Sequence, residues 1–469
     1  MNRNKEFAIN TFILFLGKFT TQFITFLLIP LYTHFLNADD YGLIDLIQTY
    51  VSLFVPVLIL RFDSAVFRFL IDERKNKDNV DGKKIVITNI VITVFCVAVV
   101  VSFIYILIGF FVSIKYFWLL LFTVIAIMFS NILLQISRGL GKNKEYSIAC
   151  VITGITTLIL NVIFIIIFKM GASSILVSTC IANVLCSMYI ALKNKIFNMI
   201  ELRFLSKKRI LEYLKYSLPM IPNSLSWWIV NVSDRSIITF ILGTAMNGIY
   251  TISCKFSNII NSIFSIFNMS WQESASMHIN DNDNDKDIFF TTIINKMLDL
   301  FSTVSVIIIA TLPLVYNYIV GSNYIESYFY IPILLFANMF NILINLIGGI
   351  YIAKKETKKI MNTTIVSAII NLIFNLSLIK TIGLYAACLS TLFAYFIMAV
   401  YRYIDVQKYV RIKINFLFSL RVILIFIITC LLYYINIPPI NILNFMIVVV
   451  YVIVFNRKSF KQLVGLIKR

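Results

Sequence analysis

The chain has 469 residues, 60% hydrophobic and only 13% charged, with a net charge of +19 and a mean hydropathy of +0.89. A soluble domain carries about 25% charged residues, so an ordinary globular protein is excluded and most of the length belongs in lipid. In a soluble chain this basic balance would suggest nucleic acid. Here Lys and Arg collect in alternate loops between apolar runs, so the charge is topological and no nucleic-acid partner is expected.

A bilayer core of about 30 Å needs roughly 20 apolar residues as helix. Lipid cannot satisfy bare backbone groups, so spans must be helices or a closed barrel. Runs such as Ile85–Val112 lack a barrel's alternation, so the fold class is all-α integral membrane. Met1–Glu6 is polar and basic, and the apolar stretch after it has no small-residue cleavage site. It reads as an uncleaved first span rather than a signal peptide. About fourteen transmembrane helices follow in chain order: 8–33, 42–66, 85–112, 116–137, 147–168, 172–192, 215–241, 246–268, 290–319, 328–350, 360–379, 382–401, 415–435 and 438–456. The region 194–214 reads as a surface amphipathic segment.

With the N-terminus inside, the inner loops and tails hold 34 Lys and Arg, and the outer loops hold three, Lys115, Lys169 and Lys380. That asymmetry predicts an even number of spans with both termini cytoplasmic.

The chain also resembles itself at an offset of about 206 residues. His34–Leu46 aligns with Phe240–Ile252, and each segment is read as a short outer turn at its glycine, Gly42 or Gly248. Further echoes pair Asn161 with Asn371, Gly171 with Gly383, and Ser178-Thr179 with Ser390-Thr391. Spans one and seven run the same way, so the repeat is parallel. The expected domains are a six-helix lobe over 1–195, a second over 196–404 entered through the cytoplasmic linker 194–214, and two extra helices with a basic tail over 405–469. Parallel repeats of this kind build transporters around a central site.

Ionisable residues within spans mark such sites, because each costs at least a few kcal/mol unless it faces a cavity or a partner. Lys18 lies inside span one, too deep to snorkel. Arg61, Asp63 and Arg68 crowd the inner end of span two. Arg61 and Arg68, seven apart, share one helical face; they either line the cavity or snorkel to headgroups. Asp234 and Arg235 interrupt span seven, Lys255 sits within span eight, and Glu273 follows its inner end. Asp234 and Lys255 could instead form an ion pair between helices, and Arg421 could snorkel. Trp227, Trp228 and Asn231 add aromatic and amide groups to span seven, either for sugar or for the interface. The deep charges Lys18, Arg61, Arg235 and Lys255 are cationic, which suits an anionic and above all a phosphate-bearing substrate. Asp63, Asp234 and Glu273 are the carboxylates that could couple an ion.

The seven cysteines all lie in apolar runs without a CxxC, and there are two histidines. Disulfides, metal centres and His-based catalysis are therefore not expected, nor is any cofactor. No GxxxxGK[ST] occurs, so nucleotide hydrolysis is not the energy source.

The block Tyr213–Trp228, with Asn231–Arg235, Leu242-Gly243, Gly248–Tyr250 and Lys255, resembles the seventh and eighth helices of Wzx-type oligosaccharide flippases. Lys18 with Pro30–Tyr32, Tyr41-Gly42, Arg61–Arg68, Arg138–Gly141 and Phe267–Trp271 fit the same pattern. That family belongs to the multidrug/oligosaccharidyl-lipid/polysaccharide exporter superfamily. The resemblance implies a MATE-like two-lobed bundle of six, six and two helices. It also implies export of undecaprenyl-diphosphate-linked oligosaccharide from the inner to the outer leaflet, for O-antigen, capsule or exopolysaccharide. Membrane lipids, a polysaccharide polymerase and other assembly proteins would be its partners. The basic cavity positions carried over are Lys18, Arg61, Arg235 and Lys255; Asp234 beside Arg235 departs from the pattern.

Three other readings are weighed, of which a non-transporting scaffold is disfavoured by the cost of the buried charges. A cation-coupled multidrug exporter of the same fold would need carboxylates to dominate its cavity, and here bases outnumber them. A membrane-embedded polymerase or acyltransferase would show a large outer loop or a buried histidine, and no outer loop exceeds roughly ten residues.

Overall fold

The computed structural model describes Gly17 and residues 20–21, 23–75, 80–113, 115–279, 281–354 and 356–455. Helices account for almost all of them, and no strand occurs among the described residues. In chain order they are α1 (Phe23–Phe35), α2 (Ala38–Leu58), α3 (Phe62–Lys75), α4 (Val80–Gly109), α5 (Phe117–Gly139), α6 (Asn143–Val162), α7 (Ser173–Lys193) and α8 (Lys207–Ser217). Then come α9 (Ile221–Leu242), α10 (Thr244–His278), α11 (Asp283–Ile319), α12 (Ile331–Ala353), α13 (Thr357–Ile382), α14 (Leu384–Val406), α15 (Phe416–Ile435) and α16 (Pro438–Phe455).

Ten helices among the described residues are long and apolar enough to cross a membrane, and Phe23–Phe35 and Leu420–Ile435 are shorter apolar helices. The expected spans 215–241 and 246–268 are the helices α9 and α10, which are not among those ten. α10 has 35 residues, ample to cross, but it carries Lys255 and a series of asparagines and serines. Large apolar side chains lie outward all along the bundle; Phe111 is 88% exposed and Phe103 65%. In water such a surface would aggregate; here it is the lipid-facing side.

The chain falls into two compact units. One holds the described residues up to Leu36 together with Leu43–Trp228, the other Asn37–Gly42 and everything from Ile229. In the first, α3 packs on α4, α5 and α8, and α7 on α5 and α6. Its core runs from Val51, Val55 and Phe62 through Leu70, Ile90 and Ile136 to Tyr213. In the second, α12 packs between α10 and α14, α13 lies on α14, and α15 and α16 lie on α11. The rings of Tyr328 and Tyr433 stack 4.0 Å apart. Each phenol donates to the other's backbone carbonyl at 2.9 Å, which fastens α15 to the segment before α12.

Span two is not one helix. α2 ends at Leu58, and Leu60 and Arg61 both take left-handed backbone angles, with φ of 51° and 56°, before α3 begins. Two consecutive non-glycine residues in that region are sterically unfavourable and must be held by their surroundings. Backbone bonds from Leu60 N to Val57 O and from Arg61 N to Pro56 O close the end of α2. Arg61 therefore lies outside the helix that carries Arg68, and the two do not share a helical face.

The repeat glycines have different work from that expected. The turns fall at Leu36–Asn37 and at Gly243, while Gly42 and Gly248 sit one turn inside α2 and α10. There they let two helix starts touch: a Cβ on Gly42 would lie 1.8 Å from the Thr244 carbonyl oxygen, and one on Gly248 2.3 Å from that of Ala38. Asn247 Nδ2 donates to the Gly42 carbonyl at 2.8 Å, and the Thr244 hydroxyl to Asp39. Gly171 and Gly383, the other repeat pair, both have positive φ, 64° and 59°, at the turns before α7 and α14.

The segment 194–206 is clipped to the start of α4. Asn89 donates to Phe204 O and accepts from Ser206 N, both at 2.8 Å, Thr88 donates to Met199 O, and Lys84 pairs with Glu201. The Lys84 hydrogen bond, with Arg203 nearby, holds the Glu201 carboxyl below the usual glutamate range. A depressed carboxyl adds stability above its unfolded pKa and loses it as pH falls through its folded one. Glu201→Gln should therefore raise protease cleavage within 194–206 at neutral pH in the detergent-solubilised protein, whereas the native segment resists until the medium is more acidic than the glutamate range. Equal cleavage of both at neutral pH would contradict the clip.

Candidate functional site

The sequence-expected residues separate into distinct local settings. Arg61 Nη2 donates to Ser64 Oγ at 2.7 Å, and its Nε lies 3.6 Å from Asp63 Oδ1, so these two charges face each other at the start of α3. Arg68 pairs with Asp72 at 2.9 Å, one turn on, and both are about half exposed. Such a pair contributes a few tenths of a kcal/mol. Arg421 does not snorkel: its Nη2 pairs with Asp299 Oδ1 at 3.0 Å, under the ring of Phe455. Lys18 lies outside the described residues, as do the side chains of Trp227, Asn231 and Glu273, whose backbones are helical in α9 and α10. Trp228 is in view, donating Nε1 to Thr49 O at 3.0 Å with its ring 6.0 Å from Tyr50.

Asp234 is the centre of a polar cluster in the second unit. It is 4% exposed. Asn375 Nδ2 donates to its Oδ1 at 2.9 Å, while the Tyr250 and Thr391 hydroxyls donate to its Oδ2 at 3.1 and 3.0 Å. Asn371 Nδ2 in turn donates to Thr391 Oγ1 at 3.3 Å. Four helices, α9, α10, α13 and α14, meet at one carboxylate. Its three donors are neutral, and among the described residues it forms no ion pair, so the Asp234–Lys255 bridge is not made. The carbonyl oxygens of Asn371 and Asn375 are also buried without a partner. A buried charge and two orphaned acceptors are unfavourable together; a proton on the carboxylate or a cation beside it would offset the charge. Among the described residues no three Cys, His, Asp or Glu side chains gather. The set is one carboxylate with neutral oxygens, which suits a small hard monovalent cation better than zinc or calcium.

Arg235, next along α9, is half-buried on a different face from Asp234, as the 100° step of a helix requires. Lys255, half-buried on α10, places Nζ 5.4 Å from the centroid of the Tyr41 ring, a cation–π distance. Both are cations in the same unit as Asp234.

Sequence reasoning passed over Tyr250, Asn375 and the function of Asn371 and Thr391, although Asn371 and Thr391 stood out as repeat echoes. At the repeat offset, Asp234 corresponds to Leu28, buried and apolar, so the carboxylate site belongs to one half only.

The family model described as polysaccharide biosynthesis protein matches residues 7–272. That is more than half of the chain and takes in every motif from Lys18 to Trp271. The chain belongs to this family. Its fold is shared with the structure titled lipid II flippase MurJ, inward closed conformation: TM-score 0.70, 17% identity, covering 97% of this chain and all of that one. It is likewise similar to a multidrug resistance MATE transporter of the MOP superfamily in an inward-facing conformation (TM-score 0.63, 15% identity, 85% of this chain and 94% of that one). A Vibrio cholerae MATE transporter is a further neighbour, at TM-score 0.55 and 14% identity over 86% of this chain and 96% of that one. No curated protein matches. The family member is thus a multi-pass helical membrane protein with the MATE and MurJ fold.

Proposed function

We propose that this family member is a flippase for lipid-linked oligosaccharide. It moves undecaprenyl-diphosphate-linked repeat units from the inner to the outer leaflet of the bacterial inner membrane, for O-antigen, capsule or exopolysaccharide assembly, with both termini in the cytoplasm. The observation that carries the reading is the family match over residues 7–272, which includes Arg61, Arg235 and Lys255. The fold shared with a lipid II flippase supports it. Physically, Arg235 and Lys255 replace water around the diphosphate; Lys18 and Arg61 are proposed as further substrate-binding cations. Arg68, Trp227 and Asn231 are proposed as further substrate-binding residues. The site opens to the two sides in turn; MATE neighbours of this fold have been solved both inward- and outward-facing. A monovalent cation at Asp234 supplies the coupling. Of the other carboxylates, Asp63 already faces Arg61, and Glu273 stands beyond the described side chains. No covalent step is needed, so the protein acts as a transporter rather than an enzyme.

The buried Asp234 favours a second reading, a cation-coupled multidrug exporter of the same fold. One experiment separates the two. Cells lacking the protein should accumulate lipid-linked oligosaccharide on the cytoplasmic face and lose polymer output. Lys255→Ala at normal membrane level should lower output at least about tenfold, the loss of roughly one charge-assisted bond to the diphosphate. Unchanged polymer with lost drug resistance would establish the exporter instead.

A further inference from the structure

α10 and α12 carry an amide ladder that the charge-based site leaves unused. On α10 the residues Lys255, Asn258, Ser262 and Ser265 recur at helical spacing along one face, with Asn258 and Ser265 exposed. Beside that face, Asn261 Nδ2 donates to Asn258 Oδ1 at 3.1 Å and to Asn338 Oδ1 at 3.0 Å. Asn341 Nδ2 donates to Asn261 Oδ1 at 3.4 Å, and Asn345 Nδ2 to Asn341 Oδ1 at 3.0 Å. Asn338 Nδ2 is anchored on Ser257 O at 2.8 Å. Five side-chain amides thus form one connected chain across two packed helices.

An exposed polar face at membrane depth is tolerated only against water or a polar ligand. Helix packing explains Asn338, which is 6% exposed, but not Asn258, which touches no helix other than its own through its amide. Each amide offers two donors and one acceptor of two lone pairs. Among the described residues the ladder ends in a donor, the Asn258 amide nitrogen, and an acceptor, Asn345 Oδ1. Alternating donors and acceptors on a rigid face complement the hydroxyl groups of a sugar, each of which donates once and accepts twice. The five amides carry no charge, so the face selects uncharged sugar residues. It also continues directly from Lys255: Ser265 lies about 15 Å further along α10 at 1.5 Å per residue.

We infer that the α10–α12 amide ladder, with Asn258 and Asn345 at its ends, binds the glycan of the lipid-linked substrate through its hydroxyl groups, while Lys255 at its head takes the diphosphate. This rests on the flippase reading and adds to it the residues that recognise sugar.

Two probes test it on the purified full-length protein: undecaprenyl diphosphate without sugar, and the lipid-linked oligosaccharide fraction extracted from cells lacking the protein. The wild type should bind the glycan-bearing probe at least about tenfold more tightly than the bare one. Asn258→Leu combined with Asn345→Leu should bring that ratio close to one, with bare-lipid affinity kept within about twofold. Asn258→Leu alone, at an exposed position that no packing requires, should lower the ratio severalfold. Lys255→Ala should weaken both probes alike. A wild-type ratio retained in both ladder variants would overturn the ladder while leaving the flippase reading intact. Failure of the wild type to bind either probe would overturn that reading, and the ladder with it.

Discussion

Gly42→Ala should remove most of the folded protein from the membrane. The new Cβ would sit 1.8 Å from the Thr244 carbonyl oxygen and 2.7 Å from Gly248 N, both backbone atoms. No side-chain rotation relieves such a contact, so the opening turns of α2 and α10 must separate. Their separation breaks the Asn247 bond to Gly42 O and the Thr244 bond to Asp39. Overpacking alone costs about 1–3 kcal/mol, and each hydrogen bond lost about 1 kcal/mol more. Together these approach the lower end of a native protein's whole stability, about 5 kcal/mol. Gly171→Ala provides the comparison. Its Cβ meets nothing within 4 Å, and only the positive φ of 64° opposes it, at about 1–2 kcal/mol. Membrane level and thermal unfolding in detergent should therefore rank wild type above Gly171→Ala, and Gly171→Ala far above Gly42→Ala. The reverse order would contradict the close approach.

Asp234→Asn should leave the fold in place and abolish transport. An amide has nearly the same shape, and it can donate to the Tyr250 or Thr391 hydroxyl where the carboxylate accepted from it. Removing a buried charge whose partners are all neutral relieves a desolvation penalty, so unfolding should be unchanged or slightly later. The cation would be lost. A ligand at a hundred times its Kd stabilises the folded state by about 2.7 kcal/mol. Replacing choline by sodium should raise the melting temperature of the wild type and leave that of Asp234→Asn unmoved, with polymer output at deletion level. A sodium shift that survives in Asp234→Asn would place the cation elsewhere.

The membrane character, the helices and most of their boundaries were open to reading because they depend on run length and hydropathy, which are local properties. The break at Leu60-Arg61 was hidden for the opposite reason. Ala65, Val66 and Phe67 continue the apolar pattern of the helix before the break, and nothing in the composition of Phe62–Arg68 marks a left-handed pair. Gly42 was noticed, but its demand comes from a helix about 200 residues away and so looked like a turn signal. Charge drew attention to Asp234, Arg235 and Lys255, which lie within α9 and α10. It could not tell that Arg61 faces Asp63, that Arg421 meets Asp299, or that Asp234 is met by neutral donors from three other helices. Those pairings are tertiary. The asparagines of α10 and α12 were plain in the sequence, but an amide draws attention only when several are seen to join.

The most direct test is reconstitution. Purified protein is placed in liposomes whose lipid-linked oligosaccharide is exposed on one leaflet only, and a membrane-impermeant glycosidase follows the glycan. With the wild type, glycan should pass to the opposite leaflet over time and become protected. Liposomes holding Lys255→Ala should behave as protein-free ones do. Equal protection in wild-type and protein-free liposomes would contradict lipid-linked oligosaccharide as the cargo.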